Sequence, residues 1–286
     1  MIVKYIFLLL SFVSYNASAI LIRHDIEDKE YLAKPSDFPA LITFYIDGAH
    51  GSLIKPNWVV TAAHTTFCLE PGTKIKTTNG SAIVKRLHVH PKHTPGVSHD
   101  IALVELSESI NEVRPAKLYQ ETNEAGRDIW FIGIGGTGNG IAGITVDNYD
   151  NKGVLRKAQN RVEQAKGPIL TFKFDNGETA LPFEGISGGG DSGGPAYFRQ
   201  GNDYYVMGLS SRYGGGPSEK YNSLEVYSRV SYFMPWINGV MTDPENSIKL
   251  GKSLDKLKHL PGGLRPSDLP SLCKDILFSE KELRAI

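Results

Sequence analysis

An all-β fold is what this sequence of 286 residues predicts, and three observations predict it. Short runs rich in Val, Ile, Leu, Phe and Tyr recur along the body of the chain. Turns rich in glycine, proline and asparagine separate them, and no heptad or tandem repeat competes with the pattern. Short strands spaced in this way build a barrel or a sandwich.

The runs fall at residues 40–46, 57–61, 81–84, 100–106, 129–133, 169–174, 203–209 and 224–230. Within this body a helix is expected only near 232–240, just after the last run. With 31 Lys+Arg against 31 Asp+Glu, the chain offers no electrostatic footprint for nucleic acid. Its 41% hydrophobic content excludes a disordered chain and is enough for one large domain or two small ones.

The ends differ from the body. Lys4, the apolar run Tyr5–Val13 and the small residues Ala17-Ser18-Ala19 read as a secretory signal over residues 1–19, with cleavage leaving Ile20 first. The apolar run is shorter than the ~20 residues a bilayer span needs. The expectation is therefore an exported protein with no membrane contact after signal removal, extracellular or, in a bacterium, periplasmic. Residues 243–286 form an extension in which Lys, Asp and Glu alternate with scattered Leu. One helix is expected there, capped by Ser267 or Asp268 with Leu272, Ile276 and Leu277 on one face. This extension is expected to pack loosely on the domain as a solvated tail.

Chemistry concentrates in three places. Gly190-Asp191-Ser192-Gly193-Gly194-Pro195 follows Ser187-Gly188-Gly189, and glycines around a serine allow a substrate carbonyl to approach main-chain N–H groups. An apolar strand ends at Thr61-Ala62-Ala63-His64, and Asp100-Ile101-Ala102-Leu103 places an acid at the start of another. Alone, each has a plain structural reading as a turn, a core histidine or a strand cap. Together, in the order His, Asp, Ser, they are far more specific.

This combination resembles the chymotrypsin/trypsin-like serine proteases. Gly51-Ser52-Leu53-Ile54, Gly133-Ile134-Gly135-Gly136-Thr137, and Val226-Tyr227-Ser228-Arg229-Val230 with Pro235-Trp236-Ile237 extend the resemblance over most of residues 20–239. It implies two antiparallel six-stranded β-barrels at about 20–120 and 121–242, a closing helix, and a cleft between the barrels. It also implies a His64, Asp100, Ser192 triad, an oxyanion hole from the N–H groups of Gly190 and Ser192, and support of Asp100 by Ser211. Asp191 would pair with the α-amino group of a freed Ile20, which makes signal removal itself the activating cut.

For the substrate pocket, the resemblance places Ile186 at the base and Glu225 on the wall. Tyr213 stands at the mouth if the neighbouring strand carries no insertion. A restricted or apolar pocket is expected ahead of a basic-residue pocket. Cys68 and Cys273, the only cysteines, either pair with each other or remain separate thiols; export favours the bond. The implied activity is a secreted endopeptidase acting on polypeptides as a monomer without cofactor, the alternative being a non-catalytic homologue that binds through the same cleft. An α/β-hydrolase esterase is excluded because the βα alternation that places its nucleophile on a strand-to-helix elbow is absent. The histidines at 88, 90, 93 and 99 lack a neighbouring Cys or carboxylate to complete a tetrahedral set, so no metal is expected.

Overall fold

The structure, a computed structural model, describes residues 20–246 and 265–284. The expected signal segment and residues 247–264 of the extension lie outside the described residues.

The first barrel contains β2 (Leu41–Tyr45), β3 (Gly48–Lys55), β4 (Trp58–Thr61), β5 (Lys74–Thr77), β6 (Gly80–Val89) and β7 (Ala102–Leu106). They close in the order β2-β3-β4-β7-β6-β5, and Ile42 opposite Thr77 completes the ring. β2, β4 and β7 are buried along their whole length. A strand covered on both faces needs apolar residues at successive positions, which explains why these segments read as unbroken hydrophobic runs. Phe44, Leu53, Val59, Val60 and Leu103 belong to its core.

The second barrel is a ring of β9 (Asp128–Gly133), β12 (Arg156–Lys166), β13 (Ile169–Lys173), β17 (Leu224–Arg229), β16 (Asp203–Gly215) and β15 (Pro195–Gln200). The β15–β16 and β15–β9 pairings close it. Here the alternation is cleaner. Ala158, Val162, Leu170 and Phe172 point inward, and Phe131 and Tyr227 stack at 5.0 Å in the same core. Helix α1 (Val230–Thr242) follows β17 and buries Val230, Phe233, Ile237 and Val240.

Three features depart from expectation. β1 (Ile20–Ile22) belongs to the C-terminal half, not to a barrel beginning at residue 20. It runs parallel to β10 (Thr137–Asn139), which pairs with β11 (Gly143–Val146), and antiparallel to β14 (Gly185–Ile186). β8 (Lys117–Leu118) likewise joins β16 of the second barrel. The chain thus crosses between the barrels at both ends of the first one, and these crossings help fix the cleft.

The third departure is the tail. Residues 265–284 form α2 (Leu269–Ile276) and α3 (Glu280–Arg284) and dock on the first barrel. Leu272, Cys273 and Leu277 pack against its core, Ile276 and Leu283 are buried, and Leu277 forms a bridge with Tyr45. The apolar face of α2 has a partner, so this part is not a loose tail. A Cys68–Cys273 disulfide, with Cα atoms 5.4 Å apart, ties the two together.

Candidate active site

β4 delivers His64 onto a short 3-10 turn, Ala63–Thr66, and Asp100 lies two residues before β7. His64 Nδ1 is 2.7 Å from Asp100 Oδ2, and the His64 N–H donates to Asp100 Oδ1 at 2.9 Å. An ionised carboxylate only accepts, so the Nδ1 proton lies between them and Nε2 is left to act as a base. Ser211 Oγ also donates to Asp100 Oδ2 at 2.7 Å, and Ser228 Oγ donates to the Asp100 carbonyl at 2.6 Å.

Burial alone would raise the Asp100 pKa, but the charge of His64 and the hydrogen bonds from His64 and Ser211 hold it at about 2. For His64, burial acts downward and is outweighed by the charge and hydrogen bond of Asp100, so its pKa stands above the usual value. The pair keeps a carboxylate behind a histidine whose basicity it raises.

Ser192 lies on the turn between β14 and β15, part-buried, and its carbonyl accepts the His50 N–H at 2.7 Å. No hydrogen bond joins its Oγ to His64; in catalytic sites such contacts commonly tighten only with substrate. Before it, Gly190 has φ +95°, and a Cβ there would press on Asn148 and the Asp47 carbonyl. Only glycine fits both demands. The Gly189 carbonyl accepts from Gly136 N–H, and in a trans peptide the Gly190 N–H then faces the opposite way. Neither Gly190 N–H nor Ser192 N–H has an acceptor among the described residues.

Asp191 is buried behind this turn. Gly135 and Gly188 donate their N–H groups to its two oxygens at 2.7 and 2.9 Å. Burial raises its pKa to about 7, and among the described residues no cationic side chain reaches hydrogen-bond distance. Ile20 is fully buried opposite Thr137, two residues along the chain from Gly135. An ion pair with Asp191 requires that the Ile20 nitrogen become an α-amino group, which only removal of the residues before Ile20 would provide.

His50, which the sequence reading passed over, stands 3.8 Å from Asp191 Oδ1. It is fully buried, with Nδ1 near Thr43 Oγ1 and Nε2 accepting from Ile134 N–H. Burial lowers its pKa to about 4, so it is neutral at neutral pH. The available clue was a histidine in the otherwise small and apolar run Gly48-Ala49-His50-Gly51.

The pocket differs from expectation at its base. Ile186 is wholly buried in a cluster with Leu21, Phe174 and Tyr221, with no surface left for a substrate. Its neighbour Ser187 turns the other way and donates to Glu225 Oε2. The Glu225 carboxyl is buried, and burial raises its pKa to about 8 against the opposing hydrogen bond from Ser187. Tyr213 lies opposite Glu225 in the β16–β17 register, is exposed, and donates its hydroxyl to the Gly216 carbonyl. Register shifts on both sides, between Ser210 and Arg212 and between Tyr213 and Gly215, show why the linear alignment of this strand was ambiguous.

Of the histidines before Asp100, His93 places its Nδ1 3.9 Å from Asp100 Oδ1, and His90 and His99 take packing roles. The rings of His90 and His99 are 4.9 Å apart and lie against Phe233, with Trp236 beside His90.

Two closed six-stranded barrels, with His64 and Asp100 supplied by one and Ser192 by the other, define the trypsin-like class. A family model for trypsin matches residues 29–237, and the chain belongs to that family. Over 245 residues it is 28% identical to the complement C1r-B subcomponent of Mus musculus, a match covering 74% of this chain and 33% of the relative. The chain therefore spans about a third of the length of that curated relative. Among the described residues no helix is long and apolar enough to cross a membrane.

Proposed function

We propose that the chain is a secreted serine endopeptidase that hydrolyses peptide bonds through an acyl-enzyme. Ser192 Oγ attacks the scissile carbonyl while His64 Nε2 takes its proton. The oxyanion settles between the N–H groups of Gly190 and Ser192. His64 then returns the proton to the leaving amine, and a water repeats the sequence to release the acid. The observation that carries this reading is the His64–Asp100 contact of 2.7 Å, with Ser211 holding the same carboxylate oxygen. The inactive homologues of such a family usually lose a triad residue, and His64, Asp100 and Ser192 are all present here. A fluorophosphonate probe is expected to label wild-type protein and to spare Ser192→Ala; absence of label on folded wild type would overturn the proposal.

Activation belongs to the same reading. Cleavage after Ala19 would free an ammonium at Ile20, in the same region as the Asp191 carboxyl, which among the described residues no cationic side chain reaches at hydrogen-bond distance. An ion pair there would stabilise the Ser192 turn, because a buried charge left alone costs several kcal/mol. Retaining one extra residue before Ile20 is expected to depress activity, and undiminished activity would remove this route.

The pocket is polar at its wall, through Glu225 and Ser187. At neutral pH the Glu225 carboxyl is protonated, so small or hydrogen-bonding neutral side chains fit it best, and a basic side chain must displace the proton.

A further inference from the structure

The C-terminal segment touches a turn of the first barrel whose own and flanking residues reach both halves of the candidate catalytic centre. That turn runs from Tyr45 to Gly48 and joins β2 to β3. On one side, Ala49 N–H donates to the Gly190 carbonyl at 2.6 Å and His50 N–H donates to the Ser192 carbonyl at 2.7 Å. These are the carbonyls of the two residues whose own N–H groups await the oxyanion. The packing is tight: Gly48 has φ +130°, and a Cβ there would collide with the Gly190 carbonyl oxygen. Asn148 Nδ2 donates to the Asp47 carbonyl at 3.0 Å and to Asp47 Oδ2 at 3.1 Å. Asn148 and the Asp47 carbonyl thus fill the space beside Gly190.

On its other side the turn reaches the histidine. Tyr45, fully buried, donates its hydroxyl to the Thr65 carbonyl at 2.6 Å and accepts the Cys68 N–H at 3.2 Å. Thr65 follows His64 in the same 3-10 turn. The tail holds both handles. Ile46 N–H donates to the Ile276 carbonyl at 2.9 Å, Leu277 bridges Tyr45, and Cys273 is bonded to Cys68. Lys74 and Glu280 add an ion pair at the edge.

We infer that residues 265–284 are a positioning element for catalysis, clamping the Tyr45–Gly48 turn so that Gly190 and the His64 turn keep their relative placement. This rests on the protease reading above. Ile276, Leu277 and Cys273 are positioning residues that act through Tyr45 and Ile46 and touch no substrate. A main-chain donor has to be placed to a fraction of an ångström, and an error of about 1 Å costs on the order of 100-fold in rate. A clamp on the turn behind Gly190 therefore acts on the chemical step more than on substrate affinity.

The test compares the full chain with a variant whose tail is undocked, Cys68→Ala and Cys273→Ala combined with Ile276→Asp. Peptide hydrolysis and amide hydrogen exchange are measured on both. The expected result is a kcat about 10-fold lower with KM held within about threefold, and faster exchange at Ile46, Ala49 and His50. Unchanged kcat, or a loss confined to KM, overturns the proposal. Should the triple variant fail to fold, the Cys68→Ala, Cys273→Ala pair takes its place: about a threefold fall in kcat supports the clamp and an unchanged kcat overturns it. If wild type itself shows no hydrolysis, the protease reading fails separately. Exchange at Ala49 and His50 then decides the coupling alone, faster exchange on undocking supporting it and unchanged exchange overturning it.

Discussion

In the proposed mechanism, His64 and Glu225 carry the pH dependence of the rate. His64 must be neutral to take the Ser192 proton, and Asp100 raises its pKa above the ordinary 6.5. The acid limb of kcat/KM is therefore predicted above pH 6.5, and Asp100→Asn should lower the rate by about 10⁴ through the wrong tautomer. A pH–rate profile of both proteins checks this. Glu225, at about 8, changes charge in the working range. Cleavage after Lys is predicted to gain on cleavage after apolar residues between pH 7 and 9, a trend measured with paired peptides. Glu225→Gln should abolish the trend. Asp191 bears on stability, in the same direction as the other buried carboxyls Glu184 and Glu225, whose pKa values burial also raises. Its folded pKa of about 7 lies above the ordinary 3.8, so the folded chain binds the extra proton and stability falls as pH rises between those values. A shift of that size is about 4 kcal/mol. Protein beginning at Ile20 should lose much less over that range than protein retaining residues 1–19, as thermal melts at pH 4.5 and 7.5 would show.

At the scale of elements, the turns and the disulfide matter most. Gly190→Ala introduces a side chain where φ is positive and Asn148 already fills the space. Losing or misplacing one oxyanion donor costs about 3 kcal/mol, so kcat should fall on the order of 100-fold or more with folding preserved, as steady-state kinetics and a melt would report. The Cys68–Cys273 bond spans 205 residues, and closing such a loop contributes about 2–5 kcal/mol. Its removal should lower Tm by roughly 5–15 °C in a scanning calorimeter. The sequence made His64, Asp100 and Ser192 legible because each sits in a short motif whose chemistry is local. The registry around Tyr213 was not legible, because a bulge is decided by the partner strand β17. The destination of β1 was equally hidden: three apolar residues name no partner, and Ile20 meets Thr137, 117 positions away.

For the whole molecule, the arrangement of strands was readable and the assembly of its parts was not. The apolar face of Leu272 and Ile276 stood out within a charged tail, yet the surface it covers, Tyr45 and Ile46, lies at the other end of the chain. The two cysteines left two outcomes open, and the bond now explains how a charged appendage becomes part of the first barrel. Ile186 taught the opposite lesson: its alignment position pointed to a pocket base, while its apolar side chain found the cluster of Leu21, Phe174 and Tyr221. Across both barrels the proposed function rests on Ser192 as a nucleophile activated by His64. Active-site titration with a chromogenic ester addresses it most directly. The account predicts a burst of product approaching one equivalent per chain for protein starting at Ile20 and none for Ser192→Ala; no burst and no turnover from folded wild type, or an undiminished burst from Ser192→Ala, would contradict it.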